Sequence, residues 1–488
     1  MTRTRSLEFN DIQGLVTRGY GNLPAASYLL LSIQDGKKAR TWLKRVTKSI
    51  TYADIRPVKQ AINIALSYQG IRKLASDPAI ADTFSDEFRA GMNTVHKRRI
   101  LGDEGENAPE HWLWGGPATE AVDCLLLCYA KDNSALETLV DDLQKNIAEQ
   151  GIQLIEKLDT ELLPDNKEHF GFRDSIGQPF IQEFKPEKAA ERSVPLGEFL
   201  LGYSNGYERF TRSPSVHASK DPENILKPST DNTALHDLGL NGTYLVFRQL
   251  SQDVTGFWKS LKGYAETVNP SEIDTSSETQ IKEETIKLAS KMVGRWPSGT
   301  SLVHAPDKDI PDIENQDDFT YHVPDADGRK CPLGAHIRRT NPRDSLEPEP
   351  GSEKSLAFSD RHRLLRRGRP YGQAYDASVN PEIYLSDLEK EAAPKPRGLH
   401  FICLNANIGR QFEFVQHTWS NNPNFNGLYK DPDPIIGSRT MNQLKESQFT
   451  IQQQPVRCKL ENLPAFIQTR GGGYFFMPSR RALMFLLT

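Results

Sequence analysis

Ser27-Tyr-Leu-Leu-Leu-Ser-Ile-Gln-Asp35 and Thr243-Tyr-Leu-Val-Phe-Arg-Gln-Leu-Ser251 read as one pattern written twice. Each is a strand-like apolar run, followed by a polar turn and a helix-like segment that carries a tryptophan. Tyr28 and Tyr244 lie 216 residues apart, and so do Trp42 and Trp258. One such match arises by chance; two at one offset inside matching patterns point to an internal duplication. Further along, Val122–Tyr129 reads as a buried strand before the helical pattern Ser134–Ile147. Leu399–Asn405 is likewise strand-like before the helical spacing of Ile408–Trp419. Strand, helix, strand, then a second such group in each half is the pattern of a split βαβ unit. The expected class is therefore α+β: two ferredoxin-like domains, each an antiparallel sheet with helices, related by a weak internal duplication. The join is expected in the polar stretch Lys220–Gly239, giving an N-terminal domain over 1–235 and a C-terminal domain over 236–488.

Composition narrows the function classes. With 37% hydrophobic residues over 488, the chain can bury a substantial core. Lys+Arg at 60 against Asp+Glu at 64 gives a net charge of -4, without the basic excess that phosphate binding requires, so nucleic acid is not the expected partner. No apolar run approaches the ~20 residues of a membrane span, so no membrane partner is expected either. The polar N-terminus, Met1–Asn10, does not read as a secretory signal, and the five cysteines suggest no disulfide framework. A reducing cytoplasm is the expected compartment. Asn269–Glu284, Asp307–Asp327 and Asn341–Glu353 read as long polar surface insertions.

His-Glu-x-x-His, paired Cys-x-x-Cys and P-loop motifs are all missing from the sequence. Three unusual segments remain. Phe170-Gly-Phe-Arg-Asp-Ser-Ile-Gly-Gln-Pro179 sets Asp174 among aromatic residues and glycines, a composition that brings a carboxyl into a poorly solvated pocket or merely marks a turn. Cys331-Pro-Leu-Gly-Ala-His-Ile-Arg-Arg-Thr-Asn-Pro-Arg343 places one histidine before three arginines. Haem asks for that combination, an axial imidazole and cations for its propionates, although spacing alone favours an ordinary loop histidine beside a solvated basic run. Arg361-His-Arg-Leu-Leu-Arg-Arg-Gly-Arg-Pro-Tyr-Gly372 holds five arginines in nine residues, and Leu364 and Leu365 interrupt the run, so part of it is expected to turn inward toward an anion or carboxylate.

Together the three segments resemble the signatures of the dye-decolourising peroxidase family, DyP-type haem peroxidases. Gly171 and Asp174 match its Gly-x-x-Asp-Gly loop, and Gly334, His336 and Arg338 match its Gly-(Ala/Ser)-His-x-Arg segment. Arg366 with Pro370-Tyr-Gly372 matches its distal arginine before Pro-(Tyr/Phe)-Gly. Asp11–Gly14, Asn241–Arg248, Val293–Ser298, Asn405–Ile408 with Gln411–Phe414, and Gly471–Pro478 also look like family segments, in the expected order. The length and insertions are similar to the larger, advanced subgroup. Ser175 departs from the pattern, standing where the family has its second glycine; a positive φ there would strain a serine.

The resemblance implies one haem b per chain in the C-terminal domain, with His336 as axial iron ligand and Arg338, Arg339 and Arg343 as candidates for the propionates. Asn407 and Glu413 are candidates to hold the other imidazole nitrogen. Asp174 is expected to shuttle the peroxide proton and Arg366 to stabilise charge as the O–O bond breaks, so that a ferryl haem oxidises bulky dye-like or phenolic reductants. An ordinary Asp titrates near ~3.9, which implies an acidic optimum for reductant oxidation. Trp296, Tyr321 and Trp419 are the aromatic residues considered as electron relays. A non-catalytic haem carrier is the alternative; it would need His336 but not Asp174 facing Arg366.

Overall fold

The computed structural model describes residues 6–187, 192–268, 276–314, 316–391, 395–439 and 447–488. Its N-terminal half contains β1 (Ala25–Ile33), α1 (Gly36–Val46), β2 (Gln60–Leu66), β3 (Cys124–Ala130), α2 (Asn133–Gln144) and β4 (Ile152–Asp159). Every residue of β1 is buried, because both faces of the sheet are covered. Leu29, Leu31 and Ile33 enter one core, while Ala26, Tyr28 and Leu30, on the opposite pleat, enter another. That two-sided burial explains an unbroken apolar run in an antiparallel strand. Asp35 stops the strand and caps α1, accepting from the backbone N–H groups of Lys37 and Lys38, and the helix buries Trp42.

The C-terminal half repeats the plan with β5 (Thr243–Gln252), α3 (Val254–Val268), α4 (Glu278–Val293), β6 (Arg369–Tyr371), β7 (Gly398–Asn405) and β8 (Ile467–Met477). The strand order is β4-β1-β3-β2 in the first half and β8-β5-β7-β6 in the second, fourth-first-third-second each time. All these pairings are antiparallel, and the halves join edge to edge where Phe476 of β8 faces Leu66 of β2. Two ferredoxin-like units thus share one continuous sheet. The equivalent tyrosines, Tyr28 and Tyr244, and tryptophans, Trp42 and Trp258, are all buried at matching places, as the duplication predicts.

Two sequence expectations need correction. The segment after β7 is not wound as an ordinary α-helix: Gly409–Glu413 and Val415–Ser420 are π-helical, a distinction that apolar spacing does not resolve and one common beside functional sites. Half of the polar stretch Asn269–Glu284 is also not loop. Residues 269–275 lie outside the described residues, but from Glu278 the chain is α4, capped by Ser277 and burying Ile281, Thr285 and Leu288 beneath a polar outer face. The stretch Lys220–Gly239 contributes Lys227–Pro228 and Leu235–Asp237 to a small three-stranded sheet completed by Ser215–His217.

Long connections carry the chemistry, and the sheet gives them a floor. Arg248, Leu250 and Gln252 of β5, Leu399 and Phe401 of β7, and Ile467 and Thr469 of β8 alternate along their strands onto one cavity. Close strand packing beneath that floor depends on Gly398, where an added Cβ would stand 1.9 Å from the Leu250 carbonyl oxygen. Gly398→Ala is accordingly expected to lower the unfolding free energy by about 1–3 kcal/mol, measured by urea denaturation.

Candidate active site

The cavity over this floor has a volume of about 300 Å³, within the size range of small-molecule sites. His336, Asp174 and Arg366 all line it. His336 begins the short helix His336–Thr340, and its Nδ1 donates to Asp433 Oδ2 at 2.9 Å. Asp433 is fully buried and held on its other oxygen by the backbone N–H groups of Ile435 and Ile436 at 2.8 and 3.0 Å. Burial disfavours a charged imidazole, but the facing carboxylate outweighs it and raises the His336 pKa. Burial alone would likewise raise Asp433; His336 and the backbone donors keep its carboxyl below the usual range. Nδ1 is therefore committed, and Nε2 is the nitrogen left for a ligand.

Asp174 follows a tight loop, and Arg366 sits on the two-residue strand Leu365–Arg366, which pairs with β7 through Cys403. Gln178 stitches the two segments together: its Oε1 accepts from Arg366 N at 3.1 Å and its Nε2 donates to Arg366 O at 3.3 Å. The result is a contact of 3.5 Å between Arg366 Nη2 and Asp174 Oδ1, with the side chains 33% and 42% exposed. So long and open a pair contributes little stability and leaves both groups able to turn to a ligand. Both charges act on His336 as well, one depressing and the other raising its pKa. Ser175 has φ +69°, and its N–H donates to Asp174 Oδ1 at 2.6 Å. Serine occupies the left-handed conformation that the pattern assigns to glycine.

Arg338 and Arg339 do not line the cavity. Both are fully buried. Arg338 is bound to Asp325 Oδ2 at 2.9 Å and lies 4.4 Å from the Tyr321 ring centroid. Two residues beyond His336, it leaves from the far side of the helix. Arg339 runs back to the carbonyls of Gly334, Trp419, Asn422 and Asp431. These arginines clamp the segment that presents His336. Among the arginines that do line the cavity are Arg295, Arg343 and Arg363. Asp317 Oδ1 accepts from Arg295 and from Arg343, each at 2.6 Å, while Arg363 donates to Gly177 O at 3.1 Å. Burial, with other arginines nearby, lowers the Arg363 pKa to about 10. Two guanidiniums share one carboxylate and the third is held by a carbonyl, an arrangement with room for further anionic groups.

Asn407 and Glu413 are also corrected as partners of His336. Glu413 is taken by Lys97 and Tyr474 at 2.7 and 2.9 Å, and Asn407 Oδ1 accepts from the Arg410 backbone. Asp433 was missed because Asp431-Pro-Asp-Pro434 reads as a turn and lies 97 residues from His336. Trp296, Tyr321 and Trp419 are buried, so none reaches the surface. Elsewhere in the arginine run, Arg367 binds the Leu15 and Val16 carbonyls and Arg369 binds those of Tyr20, Leu23 and Pro24; both are structural.

The donor set fits a flat, apolar cofactor with two carboxylates and one open axial position. An imidazole whose Nε2 is uncommitted would offer a ligand to the iron, Leu250, Phe401, Phe412 and Val415 would offer apolar walls, and the arginine group a cationic end.

No family model matches the chain. It is similar to a dye-decolorizing peroxidase of Mycena epipterygia, 29% identical over 466 residues, covering 89% of this chain and 77% of that protein. Its fold matches a solved DyP at a TM-score of 0.77 with 27% identity, covering 99% of both chains. A dye-decolorizing peroxidase solved in complex with 2,6-dimethoxyphenol matches at a TM-score of 0.75 with 24% identity, covering 99% of this chain and 100% of that one.

The strained turn gives a direct test. Ser175→Gly is expected to fold at least as stably as the natural chain, and Ser175→Val to lose about 1 kcal/mol, compared by thermal unfolding.

Proposed function

The chain belongs to the dye-decolourising peroxidase family, haem enzymes that act on peroxide, and on that footing we propose that His336, backed by Asp433, holds the iron while Asp174 and Arg366 manage the peroxide. The observation that carries this reading is the convergence of the three side chains on one cavity, with Asp174 and Arg366 in contact across 3.5 Å.

Haem, when bound, supplies the redox centre that accepts oxidising equivalents from peroxide and passes them to an organic reductant. The chain's own residues move the proton. Asp174 takes it from one peroxide oxygen and returns it to the other, so that water departs in place of hydroxide. Arg366, aimed at the same place, offers N–H groups to the negative charge that develops on the departing oxygen. Gln178 keeps the two in register by holding the Arg366 backbone to the loop that follows Asp174.

Arg343 and Arg363 are the proposed partners of the propionates, with Arg295 holding Arg343 in place through Asp317. Haem b, one per chain, suits the cavity, because none of its described lining residues is a cysteine able to form a thioether link. The 2,6-dimethoxyphenol complex of a protein with this fold supports phenolic reductants here. Five unpaired cysteines, four of them buried, support a reducing compartment.

Asp174→Asn is expected to retain haem, seen as an unchanged Soret absorption, and to lose about 10²–10⁴-fold in peroxide turnover. Unchanged turnover would return the haem-carrier reading. Asp433→Asn is expected to weaken haem binding by about 10–100-fold in a haem titration, because it removes the charge that orients the axial imidazole.

A further inference from the structure

A second carboxylate, unused in that scheme, lies in the wall of the same cavity. Glu168 begins the loop that ends at Asp174. Residues 167–173 form a small hairpin: Lys167 bridges Arg173, Glu168 N donates to Phe172 O at 3.0 Å, and Gly171 N to Glu168 O at 2.9 Å. The Glu168 carboxylate fills the inside of this curl. Its Oε2 accepts from Phe170 N at 2.9 Å and its Oε1 from Phe172 N at 3.1 Å. Gln252 at the end of β5 reaches up from the sheet floor and donates to Oε2 at 2.6 Å. The loop is pinned outside the curl by Phe170 stacked on Phe257 at 4.4 Å, and Asp174 N donates to Asn166 O at 2.9 Å.

We propose that Glu168 is a positioning residue for Asp174, fixing the curl of its loop and tying that loop to the sheet floor through Gln252. This deepens the peroxidase reading and rests on it. All three groups facing the carboxylate are donors, so both oxygens must accept and the geometry calls for the ionised form. Burial opposes that form and lifts the Glu168 pKa, the three donors lower it, and the charge of Asp174 raises it, leaving it at about 7. Other charged or titratable groups nearby are His169, held neutral by burial with a pKa of about 4, Lys167, Tyr384 of the helix Pro381–Ser386, and Arg397 ahead of β7. When Glu168 takes up a proton, its new O–H finds an acceptor in the unpartnered Oε1 of Gln252 only if that amide turns over, which breaks the present bond from Nε2. The loop is therefore set above about pH 7 and released below it.

Stability runs the other way. The folded chain holds the Glu168 proton more tightly than the unfolded chain, whose carboxyl titrates near the ordinary 4.5, so stability falls as pH rises from there to about 7. A carboxylate that costs stability on ionising, at the base of the loop carrying the proton-handling group, is better explained by positioning than by packing.

The haem-loaded protein and its Glu168→Gln variant are compared across pH 5 to 8 by stopped-flow reaction with hydrogen peroxide and by thermal unfolding. The natural enzyme is expected to show a rate constant that rises through an inflection near pH 7. Glu168→Gln should lose that inflection, with a rate on the order of 10-fold lower at the alkaline end. Its melting temperature should gain on the natural enzyme's as pH rises. A variant with the natural pH profile, or one slowed equally at every pH with the inflection intact, overturns the proposal. Should Glu168→Gln not fold, Gln252→Ala supplies the second arm: losing a donor should move the inflection to higher pH, and an unmoved inflection overturns it. Failure of the natural enzyme to react with peroxide at any pH would instead defeat the peroxidase reading itself.

Discussion

The hydrogen bond from His336 to the buried carboxylate of Asp433 is the contact on which the site depends. It commits one imidazole nitrogen, orients the ring and leaves the other nitrogen for the cavity. Much of the C-terminal half is arranged to keep it. Backbone N–H groups hold the far oxygen of Asp433, Arg339 ties the His336 helix to the carbonyls of Trp419, Asn422 and Asp431, and Arg338 locks the helix to Asp325. Two arginines that look like ligand contacts are the clamps of the segment that carries His336.

The opposite wall is built on another principle. Asp174 and Arg366 are half-exposed and loosely paired, and they come from chain segments that Gln178, Arg363 and the pairing with β7 bring together. Such groups remain free to turn, whereas the His336 side is rigid. Strain also collects on this side, in Ser175 at positive φ and in the inward-facing carboxylate of Glu168.

Much of this was legible in the sequence wherever the determinant is local. The apolar runs of β1 and β5, the tryptophans that follow them and the capping Asp35 all act within a few residues, so the duplicated units could be read directly. The edge-to-edge joining of the sheet was not, because it rests on Phe476 meeting Leu66 from far along the chain. His336, Asp174 and Arg366 stood out through their motif contexts. Arg338 and Arg339 misled because charge beside a histidine shows where cations lie in sequence, while the turn of a helix decides where they point. Asp433 and Glu168 were hidden in a Pro-rich turn and a polar loop; only the fold shows which side chains stand against each carboxylate.

Optical titration of the purified protein with haem, followed by one equivalent of hydrogen peroxide, tests the central claim most directly. A Soret band that saturates at one haem per chain, and changes at once when peroxide is added, is the predicted result. A protein that stays colourless with haem, or a haem complex whose spectrum peroxide leaves untouched, would contradict it.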